Sequence, residues 1–194
     1  MLKSSLPLCL CAAALAVGAC TQNESNTAAP VQNEAVAEQT IIQSLDQNSR
    51  FFQAARAVGL DSTLGGAGPY TVLVPSDEAF AGLEEGALAD PADPQNRAST
   101  TRILTYHILP GVILAEDISK AIDNGEGRAV LATMGGETLT ATKEDGTVVL
   151  ADAAGGKARI VEADQKASNG VIHRTDAVLM PATGAEGADQ QVPD

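Results

Sequence analysis

Aromatic side chains are scarce in this chain, which has no tryptophan, two tyrosines and three phenylalanines among 194 residues. Single-stranded nucleic acids and many sugars are held by stacking on aromatic platforms, so binding of that kind is excluded and the core has to be aliphatic. Positive charge is equally thin. Twelve Lys and Arg face 25 Asp and Glu, for a formal charge of −13, and such a surface is repelled by phosphate backbones and anionic lipid. Histidine occurs only as His107 and His173, without the His-x-x-x-His spacing of a zinc site. The many carboxylates leave calcium open, but no loop has Asp-x-Asp-x-Asp-Gly spacing. There is no Gly-x-Ser-x-Gly elbow and no other recognisable nucleophilic centre. The expectation is therefore no metal, no cofactor and no enzymatic activity.

Long apolar runs are also absent, apart from Leu6 to Val17, which is broken by Pro7 and preceded by Lys3. A helix crossing a hydrocarbon core of roughly 30 Å needs about 20 residues, so this run reads as a secretory signal that is removed. Gly18-Ala19-Cys20 resembles a bacterial lipobox, in which Cys20 is acylated and becomes the new N-terminus; the alternative is an ordinary signal cleaved near Ala19. Cys9 and Cys11 fall within the discarded segment, which leaves Cys20 as the only remaining thiol and excludes an internal disulfide. Thr21 stands where an Asp would resemble an inner-membrane retention signal, which favours the outer membrane, on its periplasmic or surface face. Residues 1–19 thus read as lipoprotein signal peptide and residues 20–37, polar and without periodicity, as a flexible tether. Residues 183–194, acidic and Gly-rich, read as a disordered tail.

The remaining segment, 38–182, has the length of one domain and no internal repeat. Apolar residues at helical spacing predict helices over 39–46 and 50–58, with Asn48 or Ser49 as cap and Gly59 as stop. A buried strand is expected over Thr71–Val74, ended by Pro75, then a helix capped by Ser76 and carrying Phe80. Further helices are predicted over Pro94–Tyr106 and Ala115–Ile122. From Arg128 onward the period changes to two, with Gly135-Gly136, Asp145-Gly146 and Gly155-Gly156 between short strands. A turn at Asn169-Gly170 is expected to lead into a strand over Val171–Met180. Helices followed by a β-meander make the fold class α+β.

Three segments carry a family resemblance. Gly68-Pro69-Tyr70-Thr71-Val72-Leu73-Val74-Pro75-Ser76-Asp77-Glu78-Ala79-Phe80 resembles the first signature block of the fasciclin (FAS1) domain family. Thr105-Tyr106-His107-Ile108-Leu109-Pro110-Gly111 resembles its Tyr-His segment, and Ser168-Asn169-Gly170 through Pro181 resembles its second block. The resemblance implies a single FAS1 domain, a wedge-shaped β-sandwich with flanking N-terminal helices. In function it implies a non-enzymatic cell-adhesion or extracellular interaction module, here anchored to the cell envelope through Cys20, with an unidentified protein or matrix partner. The alternative is a carrier of an apolar, carotenoid-like ligand in a cleft between helix and sheet; an envelope hydrolase using His107 or His173 is a third reading.

Tyr106, His107, Asp164 and His173 are the candidate partner contacts; Pro75, Phe80, Asn169 and Gly170 are structural members of the motifs. For Tyr106-His107 the apolar flanks Ile103, Leu104, Ile108 and Leu109 favour burial over contact. His173 is expected to take its tautomer from Asp176 or a backbone carbonyl. Animal adhesive members carry a Glu-Pro-Asp-Ile-Met run where this chain has Glu162-Ala163-Asp164-Gln165-Lys166, so only the Asp of the Asp-Ile pair is kept.

Overall fold

A computed structural model describes residues 38–82 and 94–182. The tether, the signal segment with Cys20, and the acidic tail lie outside the described residues.

The N-terminal part of the domain is helical, and its helices are bounded by local caps. α1 (Ile41–Ser44) and α2 (Arg50–Val58) follow, the latter started by Ser49, whose hydroxyl accepts from Phe52 N–H, and stopped by Gly59 at φ 84°. α1 is shorter than the predicted 39–46, and a third helix not foreseen, α3 (Asp61–Gly65), precedes β1 (Tyr70–Pro75). Pro75 has no N–H to offer the sheet, and the next residue resumes the ladder, with Ser76 N–H donating to Thr175 O at 3.0 Å. Ser76 then caps α4 (Asp77–Ala81), accepting from Ala79 N–H, and Phe80 turns inward and is buried. α5 (Pro94–Tyr106) leads into a second unforeseen element, the three-residue strand β2 (Ile108–Pro110), and α6 (Ala115–Asn124) runs one turn fragment beyond its predicted end.

The meander has its predicted turns. It consists of β3 (Arg128–Ala132), β4 (Thr138–Glu144), β5 (Thr147–Ala151) and β6 (Lys157–Ala167), followed by β7 (Gly170–Thr175). Asp145 and Gly146 both take positive φ, the arrangement a two-residue hairpin requires. The sheet order is β2-β1-β7-β6-β5-β4-β3, antiparallel throughout except for the parallel pair β1 and β7. Ile108 O accepts from Met134 N–H at 2.7 Å and Thr105 O from Gly135 N–H at 3.1 Å, so the segment after β3 is tied back to β2 and to the last turn of α5.

Two corrections concern the second signature block. The turn between β6 and β7 is Ser168-Asn169, since Ala167 already pairs with Gly170. The strand ends at Thr175 rather than Met180, because Asp176 bends the chain by exchanging bonds with Arg159: its N–H donates to Arg159 O at 3.2 Å and its Oδ1 accepts Arg159 N–H at 2.7 Å.

Alternation along β1 and β7 divides the interior. Val72, Val74 and Ile172 face the helices, in a core with Ile41, Phe51, Leu64, Phe80 and Leu104. Leu73 faces the other way, into a core with Tyr106, Leu109, Ile118, Leu139 and Leu150. Each fully buried Leu or Ile contributes about 1.5–3 kcal/mol.

Candidate functional site

Tyr106 ends α5 and His107 follows it in the turn before β2, and both are buried. His107 Nδ1 lies 2.8 Å from Ile103 O and Nε2 accepts from Leu179 N–H at 3.0 Å. A carbonyl can only accept and an amide N–H only donate, so the neutral ring carries its proton on Nδ1. Burial lowers the imidazole pKa to about 4, because the cation would have to leave water. The ring edge meets Phe51 at a centroid distance of 6.4 Å. Tyr106 reaches the meander: its hydroxyl donates to Thr138 O at 3.1 Å and accepts from Ala153 N–H at 3.3 Å. Desolvation raises its pKa, so the phenol stays protonated.

His173, on β7 opposite Leu73 of β1, is buried as well. Its Nε2 donates to Ile113 O at 2.9 Å, and its Nδ1 accepts from Asp164 N–H at 3.1 Å. The partner is therefore a backbone carbonyl, and Asp176 is occupied elsewhere, at Arg159. Asp164 sits in an irregular stretch of β6, between Glu162, paired with Arg174, and Gln165, paired with Ile172, at φ 61°. This left-handed turn, which Asp tolerates, aims its carboxylate at the start of α6, where Oδ1 accepts from Ala115 N–H at 2.9 Å. The same oxygen is 3.8 Å from His173 Nδ1, but that nitrogen is already an acceptor and the contact is not an ion pair. Thr71 completes the attachment, donating to Gly111 O at 2.8 Å and accepting from Ile113 N–H at 2.9 Å.

The two histidines thus serve separate joints. His107 binds α5 to the segment after β7, while His173 and Asp164 bind the loop before α6 to the sheet. Neither imidazole faces a nucleophile among its bonded partners. The described residues hold no cluster of three or more His, Cys, Asp or Glu able to bind a metal.

Asn169 is a third joint. Its Oδ1 accepts from Ile41 N–H at 2.8 Å, its Nδ2 donates to Leu64 O and Gly66 O, each at 2.8 Å, and its own carbonyl accepts from Tyr70 N–H at 3.1 Å. One side chain therefore links α1, α3 and the β6–β7 turn, which explains an Asn in the second signature block better than turn propensity does.

The Fasciclin domain family model matches residues 46–181, and all three motif segments fall within or overlap the described joints. The chain belongs to the fasciclin domain family. It is 37% identical over 145 residues to the protein sll1483 of Synechocystis sp., covering 73% of each chain. A second Synechocystis protein, sll1735, is 34% identical over 136 residues, 68% of this chain and 88% of that one. Human periostin is 28% identical over 161 residues, 79% of this chain but 17% of periostin. Among solved structures, the FAS1 domain pair of the insect cell adhesion molecule fasciclin I matches with a TM-score of 0.51 at 22% identity, over 70% of this chain and 46% of that one. That likeness shows the fold.

Within this FAS1 domain the exposed large apolar residues among the described ones are Val112, Val130, Met134 and Val161. Sequence reasoning does not single them out. For Val130 the signal is present, since it alternates with buried Ala129 and Leu131 on β3. Met134 adjoins the Tyr-His segment through its bond to Ile108 O, a juxtaposition no sequence pattern carries.

Asn169→Asp offers a test of the third joint. The carboxylate can still accept from Ile41 N–H, but its second oxygen would face the carbonyls of Leu64 and Gly66 where Nδ2 now donates. The expected loss is about 2 to 3 kcal/mol, read as a lower urea midpoint with an unchanged denaturant slope. Equal stability of the two proteins would mean that these carbonyls are satisfied by water.

Proposed function

We propose that this protein is an envelope-anchored FAS1 module that works by binding rather than by catalysis, held to the membrane through acylated Cys20, with a protein or matrix partner. The carrying observation is that both imidazoles of the chain are spent on backbone partners at structural joints, so the usual acid–base group is not presented to a substrate. Tyr106, His107, Asp164 and His173 then act on a partner indirectly, by holding neighbouring surface in place. Exposed Met134, whose N–H donates to Ile108 O of β2, and exposed Val112, two residues beyond β2, supply the apolar part of that surface. The fasciclin I relative is named a cell adhesion molecule, which supports the same reading. A carrier role has less support, because Phe51, Leu64, Val72 and Ile172 fill the space between helices and sheet.

Two experiments bear on this. Met134→Asp with Val112→Asp should abolish capture of envelope components by the immobilised protein while leaving its melting temperature unchanged; undiminished capture would remove this surface from consideration. A coloured apolar ligand copurifying with the wild type would instead favour the carrier. Cys20→Ser should convert a detergent-requiring protein into a released or slowly processed soluble one, since acyl chains stabilise membrane attachment by about 0.8 kcal/mol per buried CH₂. Retention of the Cys20→Ser protein in the membrane pellet with unchanged mobility would overturn the lipid anchor.

A further inference from the structure

The segment after β7, 176–182, bonds to β6 at its first residue, where Asp176 N–H donates to Arg159 O at 3.2 Å, and beyond that residue side chains from elsewhere in the fold hold its backbone. Leu179 N–H donates to His107 Nε2 at 3.0 Å, Met180 N–H to Asp152 Oδ2 at 2.8 Å, and Ala182 N–H to Glu137 Oε2 at 2.9 Å. These acceptors come from the end of α5, the turn after β5 and the turn before β4. Val178 and Leu179 are buried, one in each of the two cores. The strap is thus a segment without regular secondary structure, fastened by one imidazole and two carboxylates.

Protonation acts on His107 and Glu137 in the same direction. An imidazole Nε2 that gains a proton becomes a donor pointing at the Leu179 N–H. A protonated carboxyl keeps only a weaker acceptor. We propose that residues 176–182 form an acid-releasable strap, which opens as a unit while the sheet beneath it stays folded.

The surrounding charges decide the order of release. Arg102 binds both Glu137 Oε1, at 2.6 Å, and Ala182 O, at 2.7 Å, and this partner holds the Glu137 carboxyl below its usual range. Asp152 also accepts from Gly156 N–H, which keeps its other oxygen engaged. At the hinge, Asp176 is bonded to the Arg159 backbone, and the Arg159 guanidinium is paired with Glu144. Tyr106, beside His107, stays neutral and bonded to the meander. The imidazole therefore responds before Glu137 as pH falls. With the strap closed its pKa is about 4; with Nε2 opened to water it returns toward about 6.5. Between those values the open form binds a proton that the closed form does not, so opening is favoured as pH falls, by up to about tenfold per pH unit. Below about pH 4 this contribution is constant, and Glu137 continues in the same direction.

Amide hydrogen exchange on the full chain tests this, followed residue by residue from neutral to acid pH and corrected for intrinsic exchange rates. Protection of Leu179, Met180 and Ala182 should fall by roughly 10²-fold from pH 7 to pH 4 while Leu73 and Ile172, in β1 and β7, keep theirs. His107→Gln, whose amide oxygen can take the place of Nε2 without titrating, should remove most of that dependence. Strap and sheet amides losing protection together at every pH, or strap protection independent of pH, would overturn the proposal. So would a His107→Gln protein with the wild-type pH dependence.

Discussion

Gly170→Ala should cost the domain at least about 3 kcal/mol, although it adds a single methyl group. A Cβ at this position would lie 1.9 Å from Tyr70 O and 2.8 Å from Ile41 Cδ1. Tyr70 and Gly170 are the first pair of the parallel β1–β7 ladder, so the atom in the way is backbone and cannot move without breaking that pairing. The φ of 156° adds strain for any L side chain. Gly146→Ala is the matched comparison. Its φ is 80° but nothing lies within 4 Å of the added atom, so it should lose only about 1 kcal/mol, the conformational part alone. Urea midpoints of the two variants separate close approach from turn strain, and similar losses at both positions would show that the Tyr70 carbonyl is not the obstacle.

Tyr106→Ala is the second large expected effect, about 3 to 5 kcal/mol, since it removes a fully buried ring from the meander core. Tyr106→Phe isolates the hydroxyl. It keeps the ring but leaves Thr138 O and Ala153 N–H without their partner, for a loss of about 1 to 3 kcal/mol. Binding to an envelope partner should weaken in both only as far as the folded fraction does. A Tyr106→Ala protein that melts like the wild type yet has lost its partner would make Tyr106 a contact residue, and the Tyr-His segment the adhesive surface.

How far the fold can be read in advance depends on the range of the interactions involved. Ser49, Gly59 and Ser76 act within one turn of their own position, and their helices lie where the sequence places them. Asp145-Gly146 and the period-two pattern around it produce the meander for the same reason. β2 escapes such a reading because Ile108-Leu109-Pro110 is too short to show a period and becomes a strand only by lying against β1. The strand after Gly170 looks longer in sequence than it is because Val178 and Leu179 continue the apolar pattern; what ends it is Asp176 meeting Arg159, 17 residues away along the chain.

The histidines divide along the same line. Apolar flanks are enough to expect burial of Tyr106 and His107, since burial follows from composition over a few residues. Their bonding partners are not legible: Leu179 lies 72 residues from His107, and Ile113 lies 60 from His173.

By itself, then, the sequence determined the α+β class, the family, the local caps and turns, and an acidic, aromatic-poor composition, because each of these depends on composition or on neighbours within a turn or a strand. Only the tertiary structure decided that Asn169 is a three-way joint, that Gly170 is required by the Tyr70 backbone, and that residues 176–182 are fastened by His107, Asp152 and Glu137. Those are contacts between segments far apart in the chain, and a single hydrogen bond or a missing Cβ leaves no periodic trace in either segment from which the other could be inferred.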